Sequence, residues 1–281
     1  MSPIKNKDFK FKGDNKKLIT ADLTYAEYKK PVPICVFVHG FKGFKDWGTW
    51  PLAAEIFAVK GMPFFKFNFS HNGTTPSNLT EFADLEAFGN NNFKIEYDEV
   101  GMVIDFIANK SESFDFEWNG EIYLIGHSRG GAIALLRAAN DERITKCVSW
   151  AAVSDLKRYL YLKDKDKWLL DGVHYITNGR TGQEMPMYYQ FVVAYELHEG
   201  LLSLEENLGK ITCPLLIVHG EEDETVPLSD AHEIYDEVAH SILLEIEEAN
   251  HTFQSSHPLV ERKISKQFAQ VVTESIEFLE M

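Results

Sequence analysis

The pentapeptide Gly126-His127-Ser128-Arg129-Gly130 decides the fold of this chain. An apolar run at residues 122–125 precedes it and an apolar run at residues 131–136 follows it, so the sequence predicts a strand, a sharp turn and a helix. Glycines two positions before and after the serine allow the backbone to turn tightly because they carry no Cβ. Such a turn exposes the Ser128 hydroxyl above a sheet edge and aims the next amide and the helix start at whatever the serine attacks.

Apolar runs and helical patterns alternate along most of the chain. The predicted strands are 9–11, 18–25, 34–38, 64–69, 122–125, 146–152, 215–218 and 242–246, the first two as an antiparallel hairpin. The predicted helices outside the turn described above are 98–108, 229–238 and 257–279. Because strands that alternate with helices form mostly parallel sheets with right-handed crossovers, the sequence predicts an α/β fold.

One aromatic-rich stretch interrupts this alternation. About sixty residues separate the strands predicted at 146–152 and 215–218, far more than a crossover helix needs. Within it, residues 173–177 and the following Asn178-Gly179 predict a strand that enters a type I′ hairpin, and residues 187–198 predict a helix. We therefore expect a lid at residues 155–206, inserted into a core of residues 1–154 and 207–281. The alternative is a helical excursion that only packs on the domain.

The composition argues against several classes of partner. Lys and Arg number 28 against 43 Asp and Glu, and the net charge of −15 disfavours nucleic acid and anionic membranes as partners. We see neither the apolar core of a signal peptide nor an apolar run of membrane-spanning length. Cys35, Cys147 and Cys213 lie in or beside strand-like runs, which favours buried free thiols and a cytoplasmic location. We find no cluster of metal ligands.

A serine nucleophile needs a base within hydrogen-bond reach, and the base needs an orienting carboxylate. Two loops after predicted strands supply them, with Asp223 in the loop 219–227 and His251 in the loop 249–253. Both loops follow the carboxyl ends of strands, the edge at which open α/β sheets bind ligands. His257 is the rival base, and the rival acids are Glu221, Glu222 and Glu224.

Four stretches resemble the motifs of the α/β-hydrolase superfamily, and the resemblance extends over nearly the whole chain. The pentapeptide is similar to its nucleophile elbow, residues 220–227 to its acid loop, 249–253 to its histidine loop and 39–43 to its oxyanion loop. The match is closest to cinnamoyl and feruloyl esterases, aminopeptidase-like hydrolases and dienelactone-hydrolase-like proteins. It implies a mostly parallel eight-stranded sheet, flanked by helices and carrying a small lid. One departure is that residues 68–73 lack the arginine of the Asp-x-Arg-Gly-x-Gly stretch that many relatives have.

The resemblance also implies a mechanism that requires neither a cofactor nor a metal. Ser128 attacks a carbonyl carbon, His251 takes its proton and Asp223 orients the imidazole. The backbone amides of Phe41 and Arg129 form the oxyanion hole. The side chains expected in the substrate pocket are Lys42, His71, Trp168, Tyr188 and Tyr189. We expect structural roles for His39, His127 and His219.

The leading hypothesis is a carboxylic-ester hydrolase that acts on small to medium, apolar or aromatic acyl groups. Thioester hydrolysis and acyl transfer use the same acyl-enzyme and stay open. An aminopeptidase would need a carboxylate for the substrate ammonium, and Glu184, Glu196 or Glu199 could serve. A catalytically silent binding module on the same scaffold is the third hypothesis. We expect a small-molecule ester as partner, with no nucleic acid and no membrane, and leave a homodimer open.

Overall fold

The structure is a computed structural model that describes residues 3–161 and 164–281. The strands are β1 (Lys5–Lys12), β2 (Leu18–Tyr25), β3 (Val32–Val38), β4 (Phe64–Asn68), β5 (Trp118–His127), β6 (Ile144–Trp150), β7 (Val173–Thr177), β8 (Glu184–Tyr188), β9 (Leu215–Gly220) and β10 (Ser241–Ile246). The helices are α1 (Trp50–Val59), α2 (Leu85–Gly89), α3 (Phe93–Lys110), α4 (Arg129–Ala138), α5 (Lys165–Asp171), α6 (Gln190–Leu197), α7 (Glu199–Leu202), α8 (Leu204–Asn207), α9 (Leu228–Glu237) and α10 (Lys266–Glu280).

The main sheet has eight strands in the order β1-β2-β4-β3-β5-β6-β9-β10. The pairs β1–β2 and β2–β4 are antiparallel, and the remaining neighbours are parallel. The predicted fold class, a mostly parallel eight-stranded sheet flanked by helices, is therefore confirmed. The parallel strands all direct their carboxyl ends to one edge, and that edge carries the loops that contain Ser128, Asp223 and His251.

Helices cover the sheet on both faces. One apolar layer packs α3, α4 and α9 against the sheet, with Val100, Ile104 and Ile133 buried. The other layer packs α1 and α10 against the opposite face, with Phe57 and Val272 buried. Because both faces are covered, the central strands are nearly continuous apolar runs, as parallel strands usually are. None of the helices in the described ranges has the length and apolarity needed to cross a bilayer.

The C-terminal helix is shorter than its sequence pattern predicts. The helix predicted at 257–279 begins only at Lys266, and the hydroxyl of Ser265 caps it by accepting a hydrogen bond from the Phe268 amide at 2.9 Å. The stretch before it is held by other contacts, since Nδ1 of His257 accepts a hydrogen bond from the Gly48 amide at 3.0 Å. The prediction that a helix starts at His257 is therefore wrong.

The hairpin β7–β8 also differs from its prediction. Thr177 pairs with Glu184, so six residues connect the strands and the predicted two-residue type I′ turn is wrong. The Gly182 amide donates to the Asn178 carbonyl at 2.8 Å, and Gly182 has a left-handed conformation with φ of 71°. The helix predicted at 187–198 begins only at Gln190, because residues 184–188 pair with β7 instead.

The aromatic-rich segment packs on itself and against α2. Trp168 of α5 is fully buried and stacks on Phe191 with 6.2 Å between ring centroids. The Tyr188 hydroxyl donates to Glu86 of α2 at 2.6 Å, which ties the hairpin to that helix. That residues 155–206 act as a lid on a core of 1–154 and 207–281 stays a prediction. Residues 1–2 and 162–163, which these ranges include, lie outside the described residues.

Candidate active site

The turn between β5 and α4 has the strained geometry that its glycines predict. Ser128 stands at its apex with φ of 56° and ψ of −125°, a backbone conformation that is costly for a residue with a Cβ. A Cβ on Gly126 would overlap the Gly130 carbonyl oxygen, and a Cβ on Gly130 would overlap the carbonyl oxygen of His39. The glycines therefore allow β5, α4 and the loop after β3 to approach each other closely, with the serine side chain between them.

The structure brings Ser128, His251 and Asp223 into one hydrogen-bonded chain. The Ser128 hydroxyl lies 2.9 Å from Nε2 of His251, and Nδ1 of His251 lies 2.7 Å from Oδ2 of Asp223. The other carboxylate oxygen of Asp223 accepts the amides of Thr225 and Val226, each at 2.8 Å. Since both Asp223 oxygens are engaged, the carboxylate has one orientation and directs the imidazole toward the serine.

The environment of Asp223 favours its ionised form. Burial opposes this, but hydrogen bonds with the His219 and His251 side chains and with the Val226 amide hold the pKa of Asp223 well below its usual value. A carboxylate at this position keeps the proton of His251 on Nδ1. Nε2 is then free to accept the proton of the Ser128 hydroxyl.

Other histidines nearby connect loops. Nε2 of His127 donates to the His251 carbonyl oxygen at 2.9 Å, and burial lowers the pKa of His127 to about 3. Nδ1 of His39 donates to the Gly40 carbonyl at 2.9 Å, and burial lowers the pKa of His39 to about 4. Nε2 of His219 donates to the Val226 carbonyl oxygen at 2.8 Å. The rival base His257 stacks on Trp47 and caps the Gly48 amide, and the rival acids are exposed.

The predicted oxyanion donors, the backbone amides of Phe41 and Arg129, belong to two segments that adjoin the serine. A Cβ on Gly40 would lie 3.0 Å from Cβ of Ser128, so the loop that holds Phe41 lies directly against Ser128. Among residues 3–161 and 164–281, neither the Phe41 amide nor the Arg129 amide donates to a protein acceptor. Arg129 is the first residue of α4, where the amides have no partner within the helix. Both amides are thus available to an oxyanion.

A cavity of about 200 Å³ opens beside Ser128. Its lining residues are Gly40, Phe41, Lys42, Gly43, Trp47, Trp50, His127, Ser128, Asn178, Arg180, His251 and Thr252. Two tryptophans and a phenylalanine supply an apolar wall, and a lysine, an arginine and an asparagine supply polar groups. Such a mixture of apolar walls and a few polar groups is typical of small-molecule sites.

Comparison with known proteins identifies the family of this chain. The sequence profile of the prolyl oligopeptidase family matches residues 86–270, a range that includes Ser128, Asp223 and His251. The chain belongs to the prolyl oligopeptidase family. Its fold and this match place it in the α/β-hydrolase superfamily, as the sequence motifs predict.

The curated proteins that are similar to this chain include a putative esterase and a hydrolase. Putative esterase/lipase 2 of Mycoplasma genitalium is 32% identical over 108 residues, which cover 38% of this chain and 33% of that protein. The 2,6-dihydropseudooxynicotine hydrolase of Paenarthrobacter nicotinovorans is 33% identical over 114 residues, 40% of this chain and 27% of that protein. The chain thus spans about a third of the length of these curated relatives or less.

Solved structures resemble the fold over almost its whole length. Est1E from Butyrivibrio proteoclasticus with bound ferulic acid superposes with a TM-score of 0.71 at 20% identity, covering 97% of this chain and 98% of that one. The dienelactone hydrolase from Anabaena variabilis superposes with a TM-score of 0.65 at 14% identity, covering 99% and 97%. At these identities the likeness shows the shared fold.

Of the five side chains predicted for the substrate pocket, Lys42 lines the cavity beside Ser128 and the other four do not. Trp168 is buried inside the aromatic-rich segment, where its indole donates to the Met187 carbonyl at 2.9 Å. Tyr188 bonds to α2, and Tyr189 packs edge-on against Trp168. His71 is buried, with its Nδ1 2.7 Å from Oγ of Ser70. None of these four side chains contributes to the lining of the cavity.

The sequence interpretation missed five lining residues, namely Trp47, Trp50, Asn178, Arg180 and Thr252. The two tryptophans follow the predicted oxyanion loop within ten residues, which is the signal that could have found them. The asparagine and arginine belong to the β7–β8 connection, and only the packing of that hairpin brings them to the serine. The carboxylates considered for an aminopeptidase are elsewhere, since Glu184 bonds Thr177, Glu196 pairs with Lys165 and Glu199 pairs with Lys157.

Proposed function

We propose that this member of the prolyl oligopeptidase family is a carboxylesterase-type hydrolase that cleaves small esters of apolar or aromatic acyl groups. The observation that carries the proposal is the contact of 2.9 Å between the Ser128 hydroxyl and Nε2 of His251. The esterase and hydrolase names of its relatives support the same reaction class. The apolar wall that Phe41, Trp47 and Trp50 form beside the serine supports the acyl preference.

The proposed reaction has two halves. In the first, Ser128 Oγ attacks the ester carbonyl carbon, His251 takes the hydroxyl proton and then gives it to the leaving alcohol. The amides of Phe41 and Arg129 stabilise the tetrahedral oxyanion, with a contribution on the order of 3 kcal/mol from each donor. In the second, His251 deprotonates a water that attacks the acyl-enzyme, and it then gives this proton to Ser128 Oγ as the acyl–serine bond breaks and the acid leaves. Asp223 stabilises the imidazolium in both halves.

Turnover of p-nitrophenyl butyrate tests the proposal directly. Ser128→Ala should lower kcat by about four orders of magnitude or more, whereas Ser77→Ala, at an exposed serine, should leave it unchanged. A fluorophosphonate should label the wild-type protein at Ser128 and leave Ser128→Ala unlabelled. Equal rates for the wild type and Ser128→Ala would contradict the proposal, and so would a wild type that neither turns over esters nor reacts with the probe.

A peptidase is the second candidate function, because the matching family is named for oligopeptidases. Release of N-terminal residues needs a carboxylate that holds the substrate ammonium. The lining of the cavity beside Ser128 contains a lysine and an arginine but no aspartate or glutamate, which disfavours a cationic substrate. Parallel assays with aminoacyl p-nitroanilides and p-nitrophenyl esters separate the candidates. We expect the esters to have the higher kcat/KM; faster anilide hydrolysis would favour the peptidase.

A further inference from the structure

The cavity beside Ser128 has a charge opposite to that of the protein as a whole. The chain carries 43 acidic and 28 basic residues, yet both formally charged residues in the lining, Lys42 and Arg180, are cationic. A cavity whose charged side chains are both cationic, beside the proposed nucleophile, favours a substrate with an anionic group.

Asn178, which also lines the cavity, has a side-chain donor that is covered and unsatisfied. Its side chain is only 5% exposed, and its Oδ1 accepts the Arg180 amide at 3.1 Å. Its Nδ2 has no hydrogen-bond partner in the described structure. A buried amide group without a partner costs free energy, so a ligand atom that accepts from it would be bound favourably.

The two cations are also short of partners. No carboxylate in residues 3–161 or 164–281 forms an ion pair with Arg180, whose side chain is exposed at the cavity mouth. Lys42 Nζ lies 3.4 Å from the Thr177 carbonyl oxygen, which is long for a hydrogen bond. Burial, and then repulsion from Arg129, lowers the pKa of Lys42, and a bound anion would oppose both effects.

We propose that Lys42, Asn178 and Arg180 form a subsite for a carboxylate, so that the preferred substrates are short esters with a free carboxylate, such as the half-esters of dicarboxylic acids. The inference rests on the proposed function and adds a terminal carboxylate to a short apolar acyl chain, whose methylene groups would lie along Phe41, Trp47 and Trp50. A guanidinium can bind both oxygens of a carboxylate, and the orphaned amide donor can bind one of them.

The other side of the triad would repel such a substrate. A second cavity, of about 830 Å³, borders His251 there, and its lining includes Glu221, Glu222 and Glu224. The contrast predicts one orientation of the bound ester, with its carboxylate toward the β7–β8 connection and away from the acid loop.

Ligand binding to Ser128→Ala tests the subsite without relying on turnover. Monomethyl glutarate and dimethyl glutarate differ mainly by one negative charge, and calorimetric titration gives the Kd of each. We expect the half-ester to bind at least tenfold more tightly than the diester. Equal binding, tighter binding of the diester, or no binding of either ligand at millimolar concentration would overturn the inference.

Two variants in the same Ser128→Ala background identify the binding groups. Asn178→Asp keeps the oxygen that accepts the Arg180 amide but replaces the free donor with an anion, so the preference for the half-ester should disappear. Arg180→Gln should lower that preference about fivefold. Arg262→Gln, at an exposed arginine paired with Glu55, is the matched control and should not change it. An unchanged preference in either cavity variant overturns the subsite.

Turnover separates this inference from the function on which it rests. If p-nitrophenyl butyrate is hydrolysed through Ser128 but the half-ester has no binding advantage, the esterase proposal stands and the carboxylate subsite fails. If the half-ester binds as expected but no ester is hydrolysed, the proposed function fails instead.

Discussion

The guanidinium of Arg129 lies 4.0 Å from the centroid of the Phe41 ring. The amides of these two residues are the proposed oxyanion donors, so the side chain of one donor fixes the loop of the other. The same guanidinium forms a buried ion pair with Glu96 of α3. The nucleophile turn, the oxyanion loop and α3 thus all contact the Arg129 guanidinium. This contact fixes the positions of the two amides relative to each other.

Removal of that cation should destabilise the protein and loosen the oxyanion hole. Arg129→Met retains the backbone amide but leaves Glu96 buried without its partner, which typically costs about 3–5 kcal/mol. Urea unfolding measures the loss, and kcat for p-nitrophenyl butyrate should fall as well. The double variant Arg129→Met with Glu96→Met should recover most of the stability but not the rate. Full recovery of the rate would contradict the positioning role of the guanidinium.

Asp223→Asn should abolish most of the activity while the fold persists. An asparagine is isosteric, but it neither stabilises the imidazolium nor enforces the proton on Nδ1 of His251, and the equivalent change in other serine hydrolases lowers kcat by about four orders of magnitude. The assay is ester turnover at neutral pH, and circular dichroism checks the fold. Glu222→Gln, at an exposed neighbour in the same loop, is the control and should retain its rate. A comparable loss in that control would argue against Asp223 as the acid.

Gly130→Ala should disrupt the nucleophile turn. The added Cβ would overlap the His39 carbonyl oxygen, and backbone atoms cannot move aside without shifting β3 or α4, which costs several kcal/mol. Gly179→Ala is the matched control because nothing lies within 4 Å of its Cβ. We expect its stability to stay within about 0.5 kcal/mol of the wild type. Thermal unfolding compares the two, and equal Tm values would refute the close approach.

His127 should make the protein less stable in acid. Its pKa is about 3 in the folded state and about 6.5 in the unfolded chain, so the unfolded state binds more protons between these values. The free energy of unfolding therefore has its full value above about pH 6.5 and decreases as the pH falls toward 3. The loss that His127 causes is about 2 kcal/mol at pH 5.

His127→Gln isolates that contribution from other titrating groups. Glutamine can still donate to the His251 carbonyl oxygen but has no proton to gain. The free energy of urea unfolding should therefore fall between pH 7.5 and pH 5 by about 2 kcal/mol less in the variant than in the wild type. Identical pH dependence in the two proteins would show that His127 does not titrate in this way.

Local patterns in the sequence were sufficient to predict the chemistry-bearing loops. Ser128, Asp223 and His251 each follow a strand whose apolar run is visible without any tertiary information, and parallel strands bring their carboxyl ends to one edge. The prediction of the C-terminal helix failed at residues 257–265 because long-range contacts, which local patterns do not show, determine the structure of that stretch. Contacts of His257 with the distant Gly48 override the local helical pattern there.

The sequence by itself determined the sheet, the nucleophile turn and the three loops, because each depends on short-range periodicity and on glycines that permit a tight turn. Only the tertiary structure decided the partner of Arg129 and the charge of the cavity. Glu96 lies 33 positions from Arg129, and Asn178 and Arg180 reach Ser128 through a hairpin. Such meetings depend on how layers pack, and no local pattern in the chain encodes which side chains then face one another.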